Sequence, residues 1–285
     1  MERDLSAYDG AITNLFDTAI SNGQCELSQE QVRSFTECGY VAGIRVLNEE
    51  QIEFLRSELS SLMRLEQAAN PLFYEYHLNE SADDGRVLFH ALGAWRVSVA
   101  FHDLVFNSSV TIPSRQLVGG AVRLWHDQLF VKPPHDGGIV AWHQDYSYWT
   151  RTKPVAHLTC WIGLDDSIVH NGCVHYVPGS HRWGLLPRGS LADNMDAVFD
   201  RLTDEQKDQF RPVAIELKAG EASFHHPMMV HGSFENRSDS PRRAAVINMF
   251  RDGVASDTDE PLLEGTPPIA KGEKIEGRFF PVLRH

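Results

Sequence analysis

From Ala121 onward the chain is a succession of short β-type runs separated by Pro- and Gly-containing turns, and nothing else in it restricts the fold as strongly. The runs cover residues 121–132, 139–146, 156–164, 173–177, 212–217, 221–232 and 243–250. A sheet of βαβ units would need a helix between each pair of strands, so the pattern predicts a sandwich or barrel. Side chains alternate faces along a strand. In 156–164 this puts Leu158, Cys160, Ile162 and Leu164 on one face and His157, Thr159 and Trp161 on the other. One greasy face and one polar-aromatic face suit a barrel wall, with packed helices outside and a functional cavity inside. By the same alternation Leu124, His126, Gln128 and Phe130 share a face. They either line that cavity or satisfy one another in the interior.

Upstream of the β region the signals are helical. Ser28 is expected to cap a helix over Gln29–Cys38 that stops at Gly39, before a short strand at 40–46. Asn48 caps a stronger helix at 49–69, with Ile52, Leu55, Leu59, Leu62 and Met63 at three-four spacing. Glu49, Glu50 and Glu53 favour the positive end of its dipole. A third helix is expected over about 98–117, interrupted near Pro113. Residues 1–27 are weakly patterned and read as a frayed or docked N-terminal helix. Within the β region, residues 191–210 carry Asp193, Asp196, Asp200, Asp204, Glu205 and Asp208 at helical spacing. That insertion is either a solvated surface helix or a lid over a cavity mouth. The tail after Asp252 is expected to be an irregular wrap. The whole reads as one catalytic domain, with a helical flank at 28–120 and a core at 121–250.

Composition narrows the class. With 285 residues, 42% hydrophobic and 23% charged, the chain resembles an ordinary globular protein with a sizeable core. A net charge of −13 argues against a nucleic-acid partner. No run approaches the ~18 apolar residues that span a bilayer. The N-terminus lacks the basic start and apolar core of a signal peptide. The four cysteines show neither C-x-x-C spacing nor scaffold density. The expectation is a reduced, cytoplasmic protein acting on a small molecule.

The chemistry centres on Trp142-His143-Gln144-Asp145. On a strand, His143 and Asp145 would point the same way, about 6.6 Å apart at roughly 3.3 Å per residue. An imidazole and a carboxylate so placed can supply two ligands of a 2-His-1-carboxylate site. Downstream, His231 and Ser233 share a face near the end of another run, and Arg242 opens the run that follows. These are the parts of an Fe(II)/2-oxoglutarate site. Three protein ligands leave three octahedral positions, two for the 2-oxo acid and one for O₂. The co-substrate's far carboxylate then needs a cation, and the planar fork of Arg suits it. Adjacent His225 and His226 face opposite ways on a strand, so they cannot both reach one metal. Arg243, of opposite parity to Arg242, should face away.

These segments resemble the phytanoyl-CoA dioxygenase family of Fe(II)/2-oxoglutarate oxygenases. The likeness is carried by His143-Gln144-Asp145, by Asn171-Gly172-Cys173 leading to Val177-Pro178-Gly179-Ser180-His181, and by His231-Gly232-Ser233 with Pro241-Arg242-Arg243. It covers about residues 120–250. It implies a mainly β fold, a double-stranded β-helix (jelly-roll) core of the cupin type, with flanking helices. It also implies that His143, Asp145 and His231 hold iron, and that Ser233 and Arg242 grip the distal carboxylate of 2-oxoglutarate. Gln128 matches a co-substrate position, with Thr159 and Trp161 as neighbours. Tyr146 and Trp149 match positions that line substrate cavities. Together with Tyr148 they suggest a moderately apolar small molecule, although aromatic packing explains them equally well. Halogenating relatives replace the carboxylate with a small residue. Asp145 therefore favours hydroxylation, or a related desaturation, ring closure or epimerisation. Two other classes stay open: a hydrolase or isomerase using another metal, and a cupin-like binding protein without catalysis.

Overall fold

The computed structural model of the chain describes residues 3–16, 25–81, 85–192 and 194–284. Ser28 caps α1 (Gln29–Cys38) through a capping box with Gln31, and Gly39, at φ 87°, ends it. Glycine reaches that conformation without strain, and a Cβ there would collide with Met229 and His181. Asn48 caps α2 (Glu49–Leu62) with Gln51 in the same way. The expected continuation to residue 69 is a separate 3-10 turn, Leu65–Ala69. The third helix divides earlier than predicted, into α3 (Val99–Val105) and α4 (Ser108–Val118). The joint is Asn107, whose side chain accepts from Ser109 N and donates to Val46 O. Pro113 lies inside α4 without interrupting it, so the cap sets the break and the proline does not. Of residues 1–27, the described part forms a 3-10 turn at Leu5–Ala7 and no α-helix, and residues 17–24 lie outside the description.

The strands in chain order are β1 (Tyr40–Arg45), β2 (Glu75–His77), β3 (Phe89–Leu92), β4 (Val122–Lys132), β5 (Val140–His143), β6 (Thr152–Lys153) and β7 (His157–Gly163). They continue with β8 (Val174–Tyr176), β9 (Val213–Ile215), β10 (Glu221–His225), β11 (His231–Ser233), β12 (Arg242–Arg251), β13 (Ala255–Ser256) and β14 (Val282–Arg284). The larger sheet runs β1-β10-β7-β12-β4-β3-β2, with β14 also paired to β4, and the smaller runs β5-β11-β8-β9. Their inner faces meet, with Trp161, Ala244 and Val246 of the large sheet packed on Val174, Tyr176 and Ile215 of the small one. This is the two-sheet antiparallel jelly roll that the family resemblance implies, one of the sandwich or barrel arrangements the strand pattern allows. Leu158, Cys160 and Ile162 turn outward onto Leu55, Leu59, Leu104 and Val110 of the helices. Burying each such Leu or Ile stabilises the fold by about 1.5–3 kcal/mol.

Three β-type runs depart from their expected course. The run 139–146 ends at His143, and a 3-10 turn, Asp145–Tyr148, takes over. The run 221–232 is two strands in different sheets, β10 and β11, separated by a turn through Pro227. Proline has no N–H for a ladder. Its carbonyl instead accepts from Tyr146 N, tying that turn to the 3-10 turn. In β4, the register against β12 shifts between Asn248 and Met249, leaving Trp125 as a bulge. Parity flips there. His126, Gln128 and Phe130 face the cavity as expected, whereas Leu124 joins the outer core and Trp125 reaches the cavity wall.

The insertion forms a 3-10 turn, Met195–Arg201, and a short helix α5 (Asp204–Gln209), while Asp193 lies outside the description. Val198, Leu202 and Phe210 bury themselves on Trp142, Val177 and Val230, so it covers the small sheet rather than standing free. The tail pairs β13 with β6 and adds β14 to the large sheet. No described helix is long and apolar enough to cross a membrane.

Candidate active site

The two strands that carry the predicted histidines pair directly. His143, last residue of β5, lies opposite His231, first of β11, with ring centroids 4.1 Å apart. Each ring is fixed from behind. His143 Nδ1 donates to Ala141 O (2.8 Å) and His231 Nδ1 to Met229 O (3.0 Å). With Nδ1 protonated, each Nε2 presents a lone pair, as a metal ligand must. Both Nε2 atoms stand 3.5 Å from Asp145 Oδ1. The 3-10 turn, rather than strand alternation, brings Asp145 to this position. One ligand atom from each of the three residues lies within 4.8 Å of the others, so together they could hold a metal ion.

Electrostatics favour that use. Burial by itself would raise the Asp145 carboxyl, but the imidazoles of His231, His143 and His225 hold it well below the usual carboxylate range. Burial, reinforced by His143, pushes His231 well below the ordinary imidazole value despite Asp145, which keeps its lone pair available. Two imidazole nitrogens and an anionic oxygen form a donor set that suits iron.

These groups open into a cavity of about 930 Å³ between the sheets. In its wall Arg242, first residue of β12, is 2% exposed, lies 5.4 Å over the Trp161 ring, and has no hydrogen-bond partner for Nε among the described residues. Burial pushes its guanidinium down to about 10. Its ladder partner is Lys132. The buried Lys132 ammonium donates to Ser233 Oγ (2.7 Å), Ser233 O and Phe234 O. Burial, then the neighbouring Arg242, hold Lys132 well below its ordinary value. A buried guanidinium with an unpaired Nε beside a second cation is costly unless an anion completes it. Arg243 faces away as predicted and pairs with Asp165.

The remaining predicted residues divide. Gln128, Thr159, Trp161, Ser233, Tyr148 and Trp149 all line the cavity. The Thr159 hydroxyl donates to Asp145 Oδ2 (2.6 Å), and Gln128 Oε1 meets His90 Nε2 at 2.8 Å. Tyr148 places its ring 6.0 Å from His143 and donates its hydroxyl to Gly189 O. Tyr146 is the exception. The turn swings it into the core beside His157, where its hydroxyl bonds Thr152 O, and it does not reach the cavity. Of the adjacent histidines, His225 faces inward and His226 packs outside against Phe35 and His181.

Several wall residues carried no recognisable signal. Lys132 carries no signal beyond its place at the end of a β-type run, and only the pairing of β4 with β12 sets it opposite Arg242. Glu80, whose carboxylate sits 2.5 Å from His90 Nδ1, comes from the loosely patterned flank. Residues 188–192 of the insertion's approach and Pro261, Leu262, Leu263 and Glu264 of the tail complete the wall.

Comparison with known proteins places this geometry. A family model described as Phytanoyl-CoA dioxygenase (PhyH) matches residues 35–244. A protein of Arabidopsis thaliana, named phytanoyl-CoA dioxygenase, is 29% identical over 257 residues, covering 78% of this chain and 88% of its own length. Among solved structures, the non-heme alpha ketoglutarate dependent carbocyclase SnoK from nogalamycin biosynthesis superposes with a TM-score of 0.71 at 25% identity, over 90% of this chain and 96% of its own. The epimerase SnoN, solved with Fe3+, alpha ketoglutarate and nogalamycin RO, shares the fold with a TM-score of 0.74 at 22% identity, over 90% of this chain and 98% of its own.

Proposed function

From the premise that this chain belongs to the phytanoyl-CoA dioxygenase family, we propose that it hydroxylates an unactivated C–H bond of a small molecule. Membership makes it an Fe(II)- and 2-oxoglutarate-dependent dioxygenase. One observation supports the site assignment above the rest: the buried Arg242, with Nε unpaired, faces the same cavity as His143, Asp145 and His231.

In this reading His143 Nε2, Asp145 Oδ1 and His231 Nε2 hold Fe(II). When bound, iron, O₂ and 2-oxoglutarate supply the oxidising power, with succinate and CO₂ as the co-substrate's products. The chain's own part is binding and exclusion. Arg242 forks onto the distal carboxylate of 2-oxoglutarate. Ser233 Oγ already accepts from Lys132, so its own hydrogen remains for that carboxylate. Charge-assisted bonds of about 1.5–3 kcal/mol each select a dicarboxylate over a monocarboxylate. Tyr148 and Trp149 form the aromatic side of the substrate space. The cavity's 930 Å³ lies near the upper end of the roughly 300–1,000 Å³ typical of ligand sites, which leaves room for a ring-bearing substrate beside the co-substrate. Closing such walls keeps the oxidant away from water, and the C–H bond held nearest the metal decides the product.

A second outcome, ring closure or epimerisation, draws support from the carbocyclase and epimerase among the structural neighbours. A turnover screen separates the readings. The enzyme with Fe(II) and 2-oxoglutarate is offered a metabolite library, succinate is read, and the product's mass is measured. Gain of one oxygen supports hydroxylation, whereas loss of two hydrogens or an unchanged mass supports the second outcome. Absence of succinate with every compound, and without any, would count against catalysis of this kind.

A further inference from the structure

Asp145 has two oxygens, and the chain treats them differently. Oδ1 faces both ligand histidines, whereas Oδ2 accepts from Thr159 Oγ1 at 2.6 Å and from His225 Nε2 at 3.0 Å. Behind His225, its Nδ1 meets the Tyr176 hydroxyl at 2.9 Å, and that hydroxyl meets Ser223 Oγ at 2.8 Å. Ser223, Tyr176 and His225 are all buried. One direction satisfies every atom: Ser223 donates to Tyr176, Tyr176 donates to His225 Nδ1, and His225 Nε2 donates to Asp145. We propose that His225 is a positioning residue that, with Thr159, occupies Asp145 Oδ2 so that the carboxylate meets the metal through Oδ1 alone. The consequence is a matter of counting. A one-oxygen carboxylate and two imidazoles leave three octahedral positions, enough for a chelating 2-oxo acid and O₂, whereas a two-oxygen carboxylate would leave two. The Tyr176–Ser223 pair serves by fixing which ring nitrogen of His225 carries the proton, as outer hydrogen bonds do around metal sites.

This inference rests on the reading that His143, Asp145 and His231 bind the metal, and its test reads metal binding rather than turnover. The metal-free protein is titrated with Co(II), followed by the ion's visible absorption. His225→Phe keeps an aromatic ring and removes the donor, and it is expected to weaken Co(II) binding by about 10- to 100-fold and change the band shape. His225→Gln, which restores an N–H donor, should recover most of that affinity. Tyr176→Phe, which removes one hydroxyl, should weaken binding less and in the same direction. Wild-type affinity and spectrum in His225→Phe would overturn the proposal, as would a His225→Gln protein as weak as His225→Phe. Should His225→Phe fail to fold, Tyr176→Phe decides, and unchanged Co(II) binding there overturns it. If the wild-type protein binds no Co(II), or Asp145→Ala binds it as well as wild type, the metal reading itself has failed.

Discussion

Arg242 and Asp145 are opposite solutions to burying a charge. Asp145 has its partners within the chain: Thr159, His225 and the two ligand imidazoles surround it. Arg242 stacks on Trp161 and leaves Nε unpaired among the described residues, with Asp165 acting on it through its charge alone, so a ligand carboxylate would complete it. Arg242→Ala is therefore expected to raise the apparent KM for 2-oxoglutarate by at least about 10- to 100-fold, the equivalent of one lost charge-assisted bond, while Fe(II) binding changes little. An unmoved KM in steady-state succinate assays would transfer the anchor to another cation. The same burial predicts a pH effect. Arg242 is pushed down to about 10, and Lys132 lies well below its ordinary value. Each is a cation that loses its charge as pH rises, so 2-oxoglutarate affinity should fall between neutral pH and about 10. Calorimetric titration at several pH values checks the direction, and affinity that held steady or rose would contradict it.

At the level of elements, the large sheet separates chemistry from stability. β7 sends Thr159 and Trp161 into the cavity and Leu158, Cys160 and Ile162 into the helix-covered core. Leu158→Ala should cost about 2–5 kcal/mol in denaturant unfolding, the usual range for a buried Leu, with the KM for 2-oxoglutarate little changed in the folded fraction. Asn48→Ala, which removes the α2 capping box far from the cavity, should cost about 0.5–2 kcal/mol and leave turnover as it was. The elements that mislead a sequence reading are short. β5 stops one residue into the His143-Gln144-Asp145 triplet, and the following turn brings Asp145 toward the metal position while removing Tyr146 from the cavity. Period-two alternation carries no information about where a strand ends.

For the whole molecule, the cavity is assembled from segments far apart in the chain. Gln128 and Phe130 come from β4, Tyr148 and Trp149 from the turn after β5, Arg188 from the insertion's approach, and Leu262 and Leu263 from the tail. The residues proposed to hold the co-substrate, Gln128, Thr159, Trp161, Ser233 and Arg242, lie on strands, whereas Tyr148, Trp149, Arg188, Leu262 and Leu263 come from turns and loops. Arg188→Ala and Leu263→Ala should accordingly shift the KM for the organic substrate, once it is known, and leave that for 2-oxoglutarate nearly unchanged. Parallel changes in both constants would show that the two ends are not separable.

The sequence by itself determined the class of fold and pointed to the residues proposed for the metal end. Alternation wrote the strands, the caps at Ser28 and Asn48 wrote two helices, and His143, Asp145, His231 and Arg242 were singled out by residue type and by the family resemblance of the segments that carry them. These signals are local, and local physics reads them. Other features were settled by the tertiary structure alone. The register of β12 on β4 sets Lys132 beside Arg242, and the bulge at Trp125 exchanges it for Leu124. The Pro227 turn separates β10 from β11, so that β10 carries His225 to Asp145. Each depends on which strand lies opposite which. That is decided by how two sheets and their helices bury a common core, and no window along the chain contains it.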